Sequence, residues 1–158
     1  MQYTQKYKSP LGNILLAADQ KGLTGLWFEG QKHFASKLDP EHQEKNMPVF
    51  EQASQWFDIY FSGKNPDFTP PLHMTGTEFQ IKVWELLLKI PYGETTTYGQ
   101  LARQCNTKSA QAVGGAVGHN AISVIIPCHR VVGSDGSLTG YAGGIERKIK
   151  LLTLEKSD

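Results

Sequence analysis

The chain has 158 residues, 39% of them hydrophobic and 20% charged, with a formal net charge of +1. That is an ordinary globular composition, long enough for one domain or two small ones. No stretch reaches the roughly 20 apolar residues that a membrane span needs, and the opening Met1-Gln2-Tyr3-Thr4-Gln5-Lys6 lacks a signal-peptide core, so a cytoplasmic protein with no membrane partner is expected. Cys105 and Cys128 are too few for a disulfide scaffold. The five histidines (His33, His42, His73, His119, His129) stand at no Cys-x-x-Cys or His-Glu-x-x-His spacing, so no metal site is expected. Up to Gly76 there are seven Lys/Arg against eight Asp/Glu, and beyond it nine against seven. So weak a basic bias cannot make non-specific attraction the main source of nucleic-acid affinity.

In chain order, residues 3–7, 14–18 and 23–28 have strand length and are separated by Pro- and Gly-marked turns. Residues 33–45 are charged, without apolar period, and predict a solvated stretch. Val49, Phe50, Ala53, Trp56, Phe57, Tyr60 and Phe61 then repeat at helical spacing up to Gly63. Such an aromatic stripe is the core face of an amphipathic helix far more often than a base-stacking surface. Residues 66–76 hold three prolines and read as a linker, giving an N-terminal unit over 1–70, a linker over 71–76 and a C-terminal unit over 77–158.

The second unit is written in short helices. Thr77-Glu78-Phe79-Gln80 fits a capping box, in which the Thr hydroxyl and Gln amide satisfy free backbone N–H groups. Phe79, Val83, Leu86, Leu87 and Ile90 supply one apolar face, stopped by Pro91-Tyr92-Gly93. Thr97-Tyr98-Gly99-Gln100 is a second capping box, and a turn over residues 106–108 leads to a third helix from Ser109 to about His119. Two short helices joined by a tight turn outline a helix-turn-helix. The third helix holds Gly114, Gly115 and Gly118. Glycine inside a helix costs about 1 kcal/mol relative to alanine, so the run serves either tight packing in the protein or close approach to a DNA backbone. Composition does not choose between them.

Residues 122–126 form a buried apolar run that ends at Pro127-Cys128-His129-Arg130. A lone cysteine is usually a small core residue. This one stands at a Pro-marked break beside two groups that can be cationic, a setting expected to lower its pKa and raise the thiolate fraction.

Gly118-His119-Asn120, residues 125–132 around Pro127-Cys128-His129-Arg130, and Gly140-Tyr141-Ala142-Gly143-Gly144 together resemble the methylated-DNA–protein-cysteine methyltransferases, the O6-alkylguanine-DNA alkyltransferases. Pro91-Tyr92-Gly93-Glu94, the segment from Thr97 to Ala102, and Ala112-Val113-Gly114-Gly115-Ala116 match in order and spacing, so the resemblance is strong from about Thr77 to Glu155. It implies an α+β protein: a small ribonuclease H-like N-terminal domain with antiparallel hairpins and a C-terminal winged helix-turn-helix-like domain bearing the active site. It also implies a monomer that needs no cofactor, binds double-stranded DNA, and accepts alkyl groups from O6-alkylguanine and O4-alkylthymine in a single turnover. Extrusion of the damaged nucleotide meets the general need of chemistry on a stacked base.

By the same resemblance, the thiolate of Cys128 attacks the alkyl carbon, and His129 acts as base through a water, oriented by Glu155. Asn120 holds the turn after the third helix, with a plain C-cap role as the competing reading. Tyr98 donates toward the departing guanine, a neutral phenol suiting a leaving base that gathers negative charge. Tyr141, Ala142 and Gly143 wall the pocket, and Val117 and Val131 line it. Thr97, Tyr98, Ser109, Gln111, Ala112, Gly114, Gly115 and Arg130 are the implied DNA contacts. One departure stands out: Gln111 occupies the place where many relatives carry an arginine that fills the gap left by the flipped nucleotide, which predicts weaker, less salt-dependent DNA binding. Two other classes compete. A non-catalytic helix-turn-helix module for alkylated DNA would not need Cys128. A Cys–His hydrolase would need an oxyanion hole and turnover.

Overall fold

The computed structural model describes residues 1–31, 34–35, 38–138 and 140–156. Its first half is a meander, β1 (Gln2–Ser9), β2 (Gly12–Ala18) and β3 (Leu23–Phe28), each antiparallel to the next. Gly12, with φ +122, sits in the left-handed region at the first turn, where a side chain would be strained. A short strand, β4 (His42–Glu44), pairs parallel with Gln2, Tyr3 and Thr4, giving the order β3-β2-β1-β4. It falls in the stretch expected to be solvated. All three residues are exposed, and only the free edge of β1 makes them a strand. His33 lies outside the described residues.

Helix α1 (Pro48–Phe61) opens with proline at its first position, where no intrahelical donor is lost. It buries Phe50, Ala53, Trp56, Phe57 and Tyr60, so the aromatic stripe is core. Each of the large side chains among these contributes about 1.5–3 kcal/mol by leaving water.

The C-terminal domain has α2 (Glu78–Leu88), β5 (Thr96–Thr97), α3 (Tyr98–Gln104), α4 (Ala110–Gly118), β6 (Val131–Val132) and α5 (Ile145–Lys156). Both expected capping boxes are formed, Thr77 with Gln80 and Thr97 with Gln100. The buried face of α2 is turned toward Trp84, packed with Val83 and Leu87, while Phe79 and Leu86 stay half-buried. Trp84 Nε1 donates to the Ala116 carbonyl at 2.8 Å and locks α2 to α4. The two short strands, β5 and β6, run parallel.

Residues 71–73 are not a free linker. Leu23 N donates to Pro71 O at 2.9 Å and His73 N to Leu23 O at 2.8 Å, so the segment runs along the open edge of β3. Leu26 N donates to Ala121 O at 2.7 Å further along the same edge. One hydrophobic cluster holds Ile14, Leu26 and Phe57 from the first half with Leu87, Val113 and Ile126 from the second. The edge of β3 and this shared core carry the active-site segment.

Candidate active site

Helix α4 ends at His119, and Asn120 turns the chain inward. The Asn120 amide accepts from Ile122 N at 3.0 Å and donates to Ile126 O at 2.9 Å, closing the segment into a loop. Inside that loop Val124 has φ +71. A β-branched residue rarely adopts this conformation, which costs on the order of 1–3 kcal/mol and persists only where surrounding contacts impose it. The apolar run is therefore a buried, strained turn and not a strand. It delivers Pro127 to a single 3₁₀ turn, Cys128–Arg130, and then to β6.

Cys128 is 6% exposed. Burial pushes its thiol up to about 11, and the nearby Asn120 amide and Lys148 ammonium oppose that rise only in part. The expectation of a thiol acidified by its sequence neighbours is thus corrected. Burial also holds His129 below the ordinary imidazole range despite its contact with Glu155, so it is neutral, and Arg130 is turned away. The cation facing the sulfur comes from α5: Lys148, fully buried, donates from Nζ to Val131 O at 2.7 Å. Burial lowers the pKa of Lys148, and Cys128 opposes that shift.

Behind the cysteine lies one carboxylate. Glu155 Oε2 accepts from His129 Nε2 at 2.5 Å, Tyr60 Oη at 2.6 Å and Arg130 Nη2 at 3.1 Å. Its Oε1 accepts from Arg130 Nε at 2.8 Å and Gly93 N at 3.3 Å. Burial alone would raise this carboxyl, but the bonds from His129 and Arg130 outweigh it and bring the pKa down to about 2. With Nε2–H donating to Glu155, His129 keeps Nδ1 on the opposite side of the ring, a buried acceptor that no protein donor reaches among the described residues. The cluster is a desolvated base whose imidazole is fixed in one tautomer.

A cavity of about 400 Å³ opens onto Cys128, between Tyr98, the small residues Gly114, Gly115 and Gly118 of α4, Val117, His119 and Asn120, and the loop of Gly140, Tyr141 and Ala142. A larger groove of about 590 Å³ lies between α2 and α3, lined by Lys89, Glu94 and Arg103 among others, with no cysteine or histidine in its lining.

These features have known counterparts. The ribonuclease-like domain of 6-O-methylguanine DNA methyltransferase matches residues 2–74, and the DNA binding domain of the same family matches residues 78–157. The chain belongs to the 6-O-methylguanine DNA methyltransferase family. It is 45% identical over 158 residues to a methylated-DNA–protein-cysteine methyltransferase of Methanosarcina acetivorans, covering 98% of this chain and 99% of the relative. Against the Haemophilus influenzae protein of the same name it is 44% identical over 157 residues, covering 98% and 86%. The crystal structure of Mycobacterium tuberculosis OGT in complex with DNA superposes with TM-score 0.88 and 42% identity, covering 98% of this chain and 92% of that one.

Within this family frame, the expected site residues divide. Cys128, Asn120, Tyr98, Val117, Tyr141 and Ala142 share the cavity, with His129 and Glu155 behind it. Val131 and Gly143 are not among the lining residues. Val131 is fully buried and offers its carbonyl to Lys148. Gly143 backs the ring of Tyr141, which an added Cβ would meet at 2.7 Å. Arg130 is corrected as a DNA contact, because all three of its guanidinium nitrogens donate inward, to Glu155 and to Ile90 O at 2.7 Å. A buried cation needs such partners.

Gln111, Ala112 and Gly115 form the exposed face of α4. Thr97 and Ser109 cap α3 and α4, each accepting a backbone N–H. The glycine question is now decided in part. A Cβ at Gly115 or Gly118 would meet nothing within 4 Å, and at Gly114 only the Tyr98 ring at 3.8 Å, so packing within the protein does not demand glycine there. Lys148 and Tyr60 were not found from sequence. Lys148, Leu151 and Glu155 share the buried stripe of α5, and a lysine in register with that stripe was the available signal. Tyr60 is the one phenol on the core face of α1, and a buried phenol calls for a partner.

Proposed function

We propose that this protein repairs alkylated DNA by direct reversal, moving the alkyl group from O6-alkylguanine or O4-alkylthymine in duplex DNA onto Sγ of Cys128. The observation that carries this function is the placement of one buried thiol in a base-sized cavity whose rim is the small-residue face of α4, with a neutral histidine fixed behind it. The damaged base leaves the stack and enters the cavity, while Gln111, exposed at the start of α4, fills the gap it leaves.

The Cys128 thiol is protonated at rest, so its proton passes through a bridging water to Nδ1 of His129. The Lys148 ammonium and Asn120 amide stabilise the resulting thiolate. An S–C bond forms as the C–O6 bond breaks, and guanine departs with the electron pair, protonated from the Tyr98 phenol. The thioether is stable, so each chain acts once, as a cytoplasmic monomer. The step needs no cofactor.

The test is an intact-mass measurement after incubation with a duplex containing O6-methylguanine. One added methylene per chain, mapped to Cys128, is expected. The Cys128→Ser variant should bind the duplex and gain no mass. Binding without a mass change in the parent chain would assign a recognition module, and repeated turnover a hydrolase.

A further inference from the structure

Residues 1–70 contain no cysteine and no catalytic motif, yet one side chain from this half reaches the proton relay. We infer that Tyr60 of α1 is a positioning residue of the alkyl-transfer site, whose phenol orients the Glu155 carboxylate and weakens its hold on the His129 proton. This rests on the function proposed above and assigns the N-terminal domain a part in the chemistry.

The geometry is specific. Tyr60 is fully buried and 95 positions from Glu155, and its Oη donates at 2.6 Å to Oε2, the same oxygen that His129 engages. The ring is held by a stack on Trp56 (centroids 5.0 Å, 10° between planes) and an edge contact to Tyr92 (6.0 Å, 82°). Burial, then the Glu155 charge, raises the Tyr60 phenol far out of the physiological range, so it stays a neutral donor at every working pH.

A neutral donor on Oε2 has two effects. It fixes the carboxylate plane, and with it the ring of His129, whose Nδ1 must face the cysteine. It also draws negative charge from the oxygen that would stabilise an imidazolium, leaving His129 a weaker base, unprotonated and ready to accept. The other groups facing the relay are accounted for. Arg130 from the 3₁₀ turn and Lys148 from α5 disfavour the imidazolium, and Glu155 favours it. Tyr141, edge-on to His129 at 6.4 Å, is itself held neutral, chiefly by burial.

The experiment compares the parent chain with Tyr60→Phe, reading single-turnover methyl transfer to Cys128 against pH and, separately, the pH titration of the His129 ring by NMR. With the phenol gone, the imidazolium is better stabilised. The His129 midpoint and the acid limb of transfer should both move up by about half to one pH unit, and the plateau rate should fall roughly three- to ten-fold as the ring loses its alignment. Substituting 3,5-difluorotyrosine at position 60, a stronger donor of the same shape, should move both midpoints down and tests the idea even if the phenylalanine variant folds poorly. Phe57→Leu, on the same core face without contact to Glu155, should lower stability and leave both midpoints alone. Unmoved His129 midpoints in both Tyr60 variants, or a shift equal to that of Phe57→Leu, overturn the inference. Because the NMR titration needs no alkylated DNA, that outcome is distinct from a parent chain that never alkylates Cys128, which would overturn the proposed function instead.

Discussion

Replacing Glu155 by glutamine removes the one negative charge around which His129, Arg130, Tyr60 and Gly93 are arranged. The cost can be reached by two routes. In the folded protein the carboxyl pKa falls from its ordinary 4.5 to about 2. A depression of that size corresponds to about 3 kcal/mol of stability at neutral pH. Independently, taking one partner from a buried ion pair leaves an uncompensated charge, here the guanidinium of Arg130, at a cost of about 3–5 kcal/mol. Glu155 is 4% exposed, so solvent screening does not reduce either figure much.

The loss is a large part of the roughly 5–15 kcal/mol that holds a domain folded. Because the folded pKa is depressed, the stabilisation is complete above the unfolded value of 4.5 and disappears as pH falls through about 2. By that linkage about 2 kcal/mol of the difference between parent and variant should be gone at pH 3. Urea unfolding of both proteins at pH 7, 5 and 3 reads it directly. A difference below about 1 kcal/mol at pH 7 would refute the reasoning, as would one that grows on acidification.

Lys148→Met removes the ammonium that opposes the burial-driven rise of the Cys128 thiol, so the pH midpoint of thiol alkylation by iodoacetamide should rise above that of the parent chain. Methyl transfer should slow by about ten-fold or more, while folding survives because an apolar chain replaces a buried ammonium. Gly115→Ala meets nothing within 4 Å, so it should stabilise α4 by roughly 0.5–1 kcal/mol and weaken duplex binding. Unchanged binding in a titration would remove the case for close backbone approach. Gln111→Arg should tighten DNA binding and steepen its salt dependence by about one counterion. An unchanged affinity and slope would show that this position makes no phosphate or stack contact.

Much of this protein was legible in its sequence because the deciding interactions are short-range. The boxes at Thr77–Gln80 and Thr97–Gln100, the start of the third helix beside Ser109 and the stop at Gly63 depend on residues a few positions apart, and each is found where expected. The aromatic spacing of α1 announced a core face, and the Pro127-Cys128-His129-Arg130 string with its flanks named the family. Tertiary structure decided what depends on burial and on partners far along the chain. β4 exists only because the edge of β1 lies beside it.

Arg130 follows the cysteine in sequence yet turns inward to Glu155, while Lys148, 20 positions later, brings the positive charge to the sulfur. The Cys128 thiol is raised and not lowered, because desolvation outweighs the groups near it. Tyr60 reads locally as one more core aromatic, and only packing of the two halves on a shared core makes it a donor to Glu155. Local pattern selects helices, caps and the nucleophile. The proton affinities around that nucleophile depend on dielectric and on long-range pairs, which no short window of sequence contains.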